Sequence, residues 1–138
     1  MREYLDIVES ASEQEAWYMK GGCYQFALFM HDVTGLPLYG LVDDSGALHH
    51  AFVVNGDTAI DARGEVSLGA VANYKGRRSA GEKITQIDKT EVEEYSDGAL
   101  TDDEFDDCME YASDHDQLAQ IIDHYQWADR PGQPSPNI

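Results

Sequence analysis

Apolar residues Leu5, Ile7, Val8, Ala11 and Ala16 recur at roughly helical spacing over residues 3–18, and the Gly21-Gly22 pair ends that pattern. The string that follows, from Cys23 to about Met30, is apolar at almost every position, as in a helix buried on most sides. Residues 36–42 and 48–54 then read as strands joined by an Asp43-Asp44-Ser45-Gly46 turn. Asn55-Gly56 predicts a two-residue type I′ turn, because both residue types tolerate positive φ, so residues 57–62 should return antiparallel. Beyond Gly64 the pattern predicts a short helix over 66–74, a basic loop Lys75-Gly76-Arg77-Arg78 and a strand from Ile84. Thr101 and Glu104 form a capping box ahead of a helix to about Ala112, and Asp114 is placed to cap a last helix with Leu118, Ile121, Ile122 and Tyr125 on one face. The predicted class is α+β, with the sheet in the middle of the chain.

At 138 residues the chain is the length of one domain, and no internal repeat divides it. We read a single domain over 1–130, with a core at about 17–64, an acidic helical region at about 90–130 and a polar tail at 131–138 that begins Pro-Gly-Gln-Pro-Ser-Pro. No run of about 18 apolar residues is present, and the opening Met-Arg-Glu-Tyr-Leu-Asp is too charged for a secretion signal. Two cysteines are too few for a disulfide scaffold. The expectation is a cytoplasmic protein with free thiols and no membrane contact.

Charge narrows the partners. With 27 acidic and 9 basic side chains the formal charge is −18, which excludes a binder that neutralises nucleic-acid phosphates with Lys and Arg. Residues 1–83 hold 12 acids and 7 bases, whereas 84–138 hold 15 acids and 2 bases. A solvated face accounts for such a run, as does an acidic docking surface for a basic partner. Adaptation to high salt is a third account, suggested by four lysines and an excess of Asp over Glu.

Cys23, His50 and Asp61 stand where a packed core needs no polar group, although each also fits a structural role: a buried thiol, a hydrogen-bonded strand histidine, a strand-ending carboxylate. With Asn55-Gly56 as the turn, Val54 faces Asp57, His50 faces Asp61, and His49 faces Ala62 on the other side of the hairpin. Directly opposed residues have Cβ atoms about 4.5–5.5 Å apart, close enough for a carboxylate to hold an imidazole N–H. Cys23 opens a helix, where the N-terminal field lowers a thiol pKa. Gly21 and Gly22 would let the backbone turn sharply and leave room for a substrate. The Cys23 N–H would serve as one oxyanion donor, with the second drawn from Gln14, Trp17 or Tyr18.

These strings resemble a known family. Gly-Gly-Cys-Tyr-Gln-Phe-Ala at 21–27 is similar to the nucleophile motif of transglutaminase-like, broadly papain-like, cysteine enzymes. His-Ala-Phe-Val at 50–53 resembles their histidine strand, and Ile-Asp-Ala-Arg-Gly at 60–64 resembles the following aspartate strand, in the same chain order. The resemblance spans about residues 17–64, with spacings of 27 and 11 residues that suit a minimal core. It implies a nucleophile helix packed on a small antiparallel sheet, with Cys23 as nucleophile, His50 as general base and acid, and Asp61 as orienting carboxylate. Gln14, Trp17, Tyr18 and Gly22 are the oxyanion or substrate-binding candidates, joined by Arg63, which fits a substrate contact or a turn residue paired with a local carboxylate. The resemblance implies no cofactor.

The implied reaction is hydrolysis or acyl transfer at an amide, peptide or isopeptide bond through a thioester, on a protein or peptide substrate with a basic surface. The alternative is a non-catalytic acidic protein or decoy that binds a basic partner. A metal site on Cys23, His50 and Asp61 is a thinner donor set than structural zinc sites use, and Asp102 to Asp107 lacks the glycine and spacing of a calcium loop. Cys108 lies among carboxylates that disfavour a thiolate, which points to packing, and His31, His115 and His124 read as solvent-facing helix residues.

Overall fold

The computed structural model describes residues 13–73 and 82–128. The first turns of the predicted opening helix, the basic loop at 75–78 and the tail at 131–138 lie outside the described residues. Five helices and five strands follow in the order α1 (13–18), α2 (Cys23–Thr34), β1 (Leu38–Val42), β2 (Leu48–Asn55), β3 (Thr58–Asp61), β4 (Gly64–Ser67), β5 (Lys83–Gln86), α3 (Lys89–Tyr95), α4 (Asp102–Ser113) and α5 (Asp116–Ala128). The strands form one open antiparallel sheet in the order β4-β3-β2-β1-β5, so the class is α+β. No helix among the described residues is long and apolar enough to cross a membrane.

The almost unbroken apolar run of α2 finds its explanation in its neighbours. One side packs on β2 and the rest is surrounded by α3, α4 and α5, so Phe26, Leu28, Phe29 and Met30 are all shielded from water. Burying each such side chain stabilises the fold by about 1.5–3 kcal/mol. The helix runs one turn past the predicted end and stops at Gly35, whose φ of 73° is the left-handed C-cap that glycine adopts without strain. The opposite face of the sheet carries a smaller cluster of Leu41, Phe52, Val54, Ala59 and Val71.

Three predicted elements differ. Residues 64–67 form strand β4 and only 68–70 form a short 3-10 turn, in place of the helix predicted over 66–74, because β3 pairs with the returning chain at Ala59–Val66 and Ile60–Glu65. Asp114 ends α4 rather than capping α5; it is His115 whose ring nitrogen meets the Leu118 N–H at 3.4 Å. Helix α3 falls within the region read as acidic and helical without being placed there as a separate element, although its Asp88 cap, accepting from Glu91 N–H at 2.9 Å, follows the same rule that located α4. The Thr101–Glu104 capping box is present with both of its hydrogen bonds.

The β2–β3 hairpin turns one residue later than predicted. Asn55 pairs with Thr58, so Gly56 and Asp57 are the two turn residues, and only Gly56 has a positive φ, at 63°. That is the pattern of a II′ turn, with glycine required at its first position alone. Gly56→Val is therefore expected to destabilise the protein by about 1–3 kcal/mol. Asn55→Thr, at an exposed paired position, should stay within about 0.5 kcal/mol. Urea denaturation of the two variants checks the register, since a turn centred on Asn55-Gly56 would penalise both.

Candidate active site

The one-residue displacement of the turn moves every cross-strand partner by two. Side-chain alternation has a period of two, so His50 and Asp61 remain on one face, now as a diagonal pair rather than directly opposed residues. His50 Nε2 lies 3.0 Å from Asp61 Oδ2, with the two side chains 0% and 2% exposed. Among the described residues only these two and Thr34 are buried polar or charged side chains. His49 is the extra residue of a bulge, since the register passes from Leu41–His50 to Val42–Leu48, and it bonds Asp43 at 2.7 Å in a more exposed position.

Asp61 is held from two sides. The Arg63 guanidinium reaches it through Nη2 at 2.6 Å and Nε at 3.1 Å, and the Arg63 backbone N–H adds a bond of 2.9 Å. Arg63 also donates to the carbonyls of Val71 at 2.8 Å and Asn73 at 3.2 Å, which fixes the fork in place. Of the two roles open to Arg63 in the sequence, pairing with a local carboxylate is the one observed. Burial pushes the Asp61 carboxyl up, but His50 and Arg63 outweigh it and hold the group below its ordinary value. A carboxylate acceptor at Nε2 requires the proton there, so Nδ1 is the basic nitrogen of neutral His50.

Cys23 approaches from the helical side. Val54 N–H bonds to the Pro37 carbonyl at 3.1 Å, and antiparallel pairing alternates, so the Ala51 backbone groups point away from β1 and toward β3. The β2–β3 ladder stops at Val53–Ile60, one rung short of Ala51. The Ala62 carbonyl, the partner of Ala51 in a continued register, accepts the Tyr111 hydroxyl at 2.7 Å. The Ala51 N–H, in the residue that follows His50, is among the groups that act to lower the Cys23 thiol pKa. The rest of the motif anchors it: Tyr24 donates to the Leu48 carbonyl at 3.1 Å, Gln25 to Glu104 at 2.8 Å, and Phe26 and Ala27 enter the core.

Three expectations at Cys23 need correction. Burial, not the helix terminus, sets its acidity: the thiol is pushed up to about 12, with Asp61 adding to the rise and the Ala51 N–H, Tyr24 and its own N–H opposing it. The Cys23 N–H is not held ready for a substrate, because it bonds the Lys20 carbonyl at 3.1 Å. Gly21 and Gly22 have ordinary negative-φ backbones, and the space above them is filled by the Trp17 indole, into which a Cβ at either position would collide. Glycine is needed there for close approach, not for a sharp turn.

The remaining candidates are dispersed. Tyr18 is buried against Phe26 and Tyr111 in the helical core. Gln14 is half-buried on α1 and Gly22 is the cap of α2 without a side-chain partner. Trp17 is 51% exposed, with the Nε1 side of its ring over Gly22. Cys108 is fully buried and its thiol is also pushed up to about 12, by burial first and then by Asp107 and Glu104 against the Tyr18 bond. The Tyr111–Ala62 hydrogen bond carries no signal in the sequence, because it joins a helix to a turn 49 residues away. Comparison of the chain with family models, curated proteins and solved structures gives no match.

Asp61→Asn is expected to destabilise the protein by about 3–5 kcal/mol at neutral pH, because it leaves Arg63 without its buried counter-charge. The folded-state pKa of Asp61 is depressed, so its contribution is complete above about pH 4 and is lost as pH falls through the lower folded value. The stability gap between wild type and variant, read from urea midpoints, should therefore narrow below about pH 4. A gap that persists unchanged into acid would contradict the assigned charge pair.

Proposed function

We propose that this protein is a papain-like, transglutaminase-like cysteine enzyme that hydrolyses or transfers acyl groups at amide, peptide or isopeptide bonds. The reading is carried by the buried His50–Asp61 pair, which lies one residue from Ala51, whose backbone N–H bears on the ionisation of Cys23. A buried histidine held through Nε2 by a carboxylate is set up as a base at Nδ1, and a buried thiol opening a helix is the group that needs one.

In this mechanism Cys23 rests as a neutral thiol, and His50 Nδ1 takes its proton as the sulfur attacks the substrate carbonyl. The tetrahedral oxyanion accepts the Trp17 indole N–H, the oxyanion candidate whose ring nitrogen lies over Gly22, the residue before Cys23. His50 returns the proton to the leaving amine and a thioester remains on Cys23. Water then adds with His50 again accepting a proton, and the thioester collapses to a carboxylic acid and the free thiol. An amine in place of water gives transfer. Asp61 holds the imidazole, and Arg63 keeps that carboxylate charged and in place. The acidic helices favour a substrate with a basic surface, and a reducing compartment such as the cytoplasm keeps both thiols free.

Treatment with p-nitrophenyl acetate tests the reading, because ester acylation of a neutral buried thiol needs a base. One acetyl group is expected on Cys23 and none on Cys108, with His50→Ala slowing acylation by about 10²-fold or more and Cys23→Ser abolishing it. Acylation of Cys108 at the same rate, or a rate indifferent to His50, would sink the enzyme reading and leave the acidic surface as the functional part.

A further inference from the structure

We propose that the cleft between α5 and strands β3 and β4 is a docking site for an arginine side chain of a protein partner. The inference goes beyond the proposed function and does not depend on Cys23 being a nucleophile. The cleft measures about 240 Å³, below the roughly 300–1,000 Å³ of sites for drug-sized ligands and suited to one long side chain. Ile60 and Ile121 give it an apolar wall. Alternation along β3 turns Ile60 into the helical core and Asp61 to the opposite face, so the cleft and the His50–Asp61 pair lie on different sides of the sheet.

Hydrogen bonds and close packing shape the junction that forms the cleft. Gly64 approaches α5 so closely that a Cβ there would collide with the Gln117 side-chain amide. Gln117 in turn grips Glu65 twice: its Oε1 accepts the Glu65 backbone N–H at 2.7 Å, and its Nε2 donates to Glu65 Oε1 at 3.2 Å. Both ends of the amide are engaged, and what they fix is the place of the Glu65 carboxylate. Glu65 is the one carboxylate of the lining, and among the described residues neither lysine nor arginine stands with it there. Tyr125, edge-on to His124 at 5.2 Å, adds an aromatic ring, and the Asn55 and Gln120 side chains carry further carbonyl acceptors. These groups match a guanidinium: its planar fork pairs with the carboxylate, its face stacks on the ring, and its methylene stem covers the isoleucines. An ammonium is a compact, strongly hydrated charge and fits the carboxylate alone. The net charge of −18 draws in a partner segment of the opposite sign.

Two peptides that differ only in charge test the site: acetyl-Gly-Arg-Gly-amide and its citrulline counterpart, whose urea group keeps the shape of the guanidinium without the charge. Each is titrated at neutral pH into isotope-labelled protein, and the backbone amide resonances are followed. The arginine peptide is expected to shift the amides of Glu65, Gln117, Gln120 and Tyr125 saturably, with the citrulline peptide binding about 10-fold more weakly, as loss of a charge-assisted pair implies. Glu65→Gln keeps an acceptor for Gln117 and should bring the arginine peptide down to the citrulline value. Tyr125→Leu should weaken the arginine peptide about 3-fold. Asp123→Asn is the control, because it removes the same charge from the same helix on the side that meets Met109 and Ser113 of α4. It should leave the arginine affinity in place. Equal binding of the two peptides, no saturable shift at these amides, or an equal loss in D123N and E65Q overturns the proposal. The arginine–citrulline comparison is made on wild type, so it decides the matter even where E65Q does not fold. No readout involves Cys23, which keeps this outcome separate from that of the acylation test.

Discussion

A carboxylate taken out of water must be surrounded by donors, and the lower part of the sheet is arranged around that requirement at Asp61. Its oxygens accept from the His50 ring, from the Arg63 guanidinium and from the Arg63 backbone. The guanidinium is held in turn by the carbonyls of Val71 and Asn73, so the segment that covers this face of the sheet is tied to the same charge. A pair of this kind adds less to stability than its short distances suggest, because desolvation offsets most of the Coulomb gain. What it fixes is orientation: one tautomer of His50, in one place, with its basic nitrogen turned from the carboxylate. Under the proposed reaction that orientation is what a general base needs.

The same turn that carries Arg63 ends the β2–β3 ladder. Asp61 pairs with Gly64 across it, and Gly64 takes a φ of 97° that permits so tight a reversal. With the chain committed to β4, the β2–β3 ladder ends at Val53–Ile60, and the Ala62 carbonyl accepts the Tyr111 hydroxyl from α4. The turn is thereby tied to the acidic helices at the residue after Asp61, a contact that neither helix nor strand periodicity describes.

Much of this was legible in the sequence, for physical reasons that can be named. The apolar run after Gly22, the Thr101 capping box and the hairpin signal each reflect a local rule; the capping box appears where it was read, the hairpin one residue later, and the apolar helix one turn longer. The His50–Asp61 contact survived an incorrect turn because an even register shift preserves the face. The bulge at His49 was invisible, since one extra residue in a strand leaves the hydrophobic alternation of 50–54 intact. The acidity of Cys23 was misjudged because a helix terminus is readable from sequence and burial is not. In this site a sulfur 1% exposed beside a carboxylate is governed by desolvation.

Under the proposed reaction, a thiol held neutral by burial also changes what the surrounding chain has to do. An ion-paired nucleophile would be ready before substrate arrives, whereas a neutral one needs its base at the moment of attack, so geometry matters more than resting charge. That reading places weight on elements far apart in the chain: α2 for the sulfur, and β2 and β3 for the base and its carboxylate. Gln25 to Glu104, Tyr111 to Ala62 and Gln117 to Glu65 tie the acidic helices to these elements by three hydrogen bonds. A region that composition alone presents as a solvated acidic face therefore has an inner side tied to α2 and to the β3–β4 segment. Its outer charge faces solvent, whereas its inner contacts bear on where those elements sit.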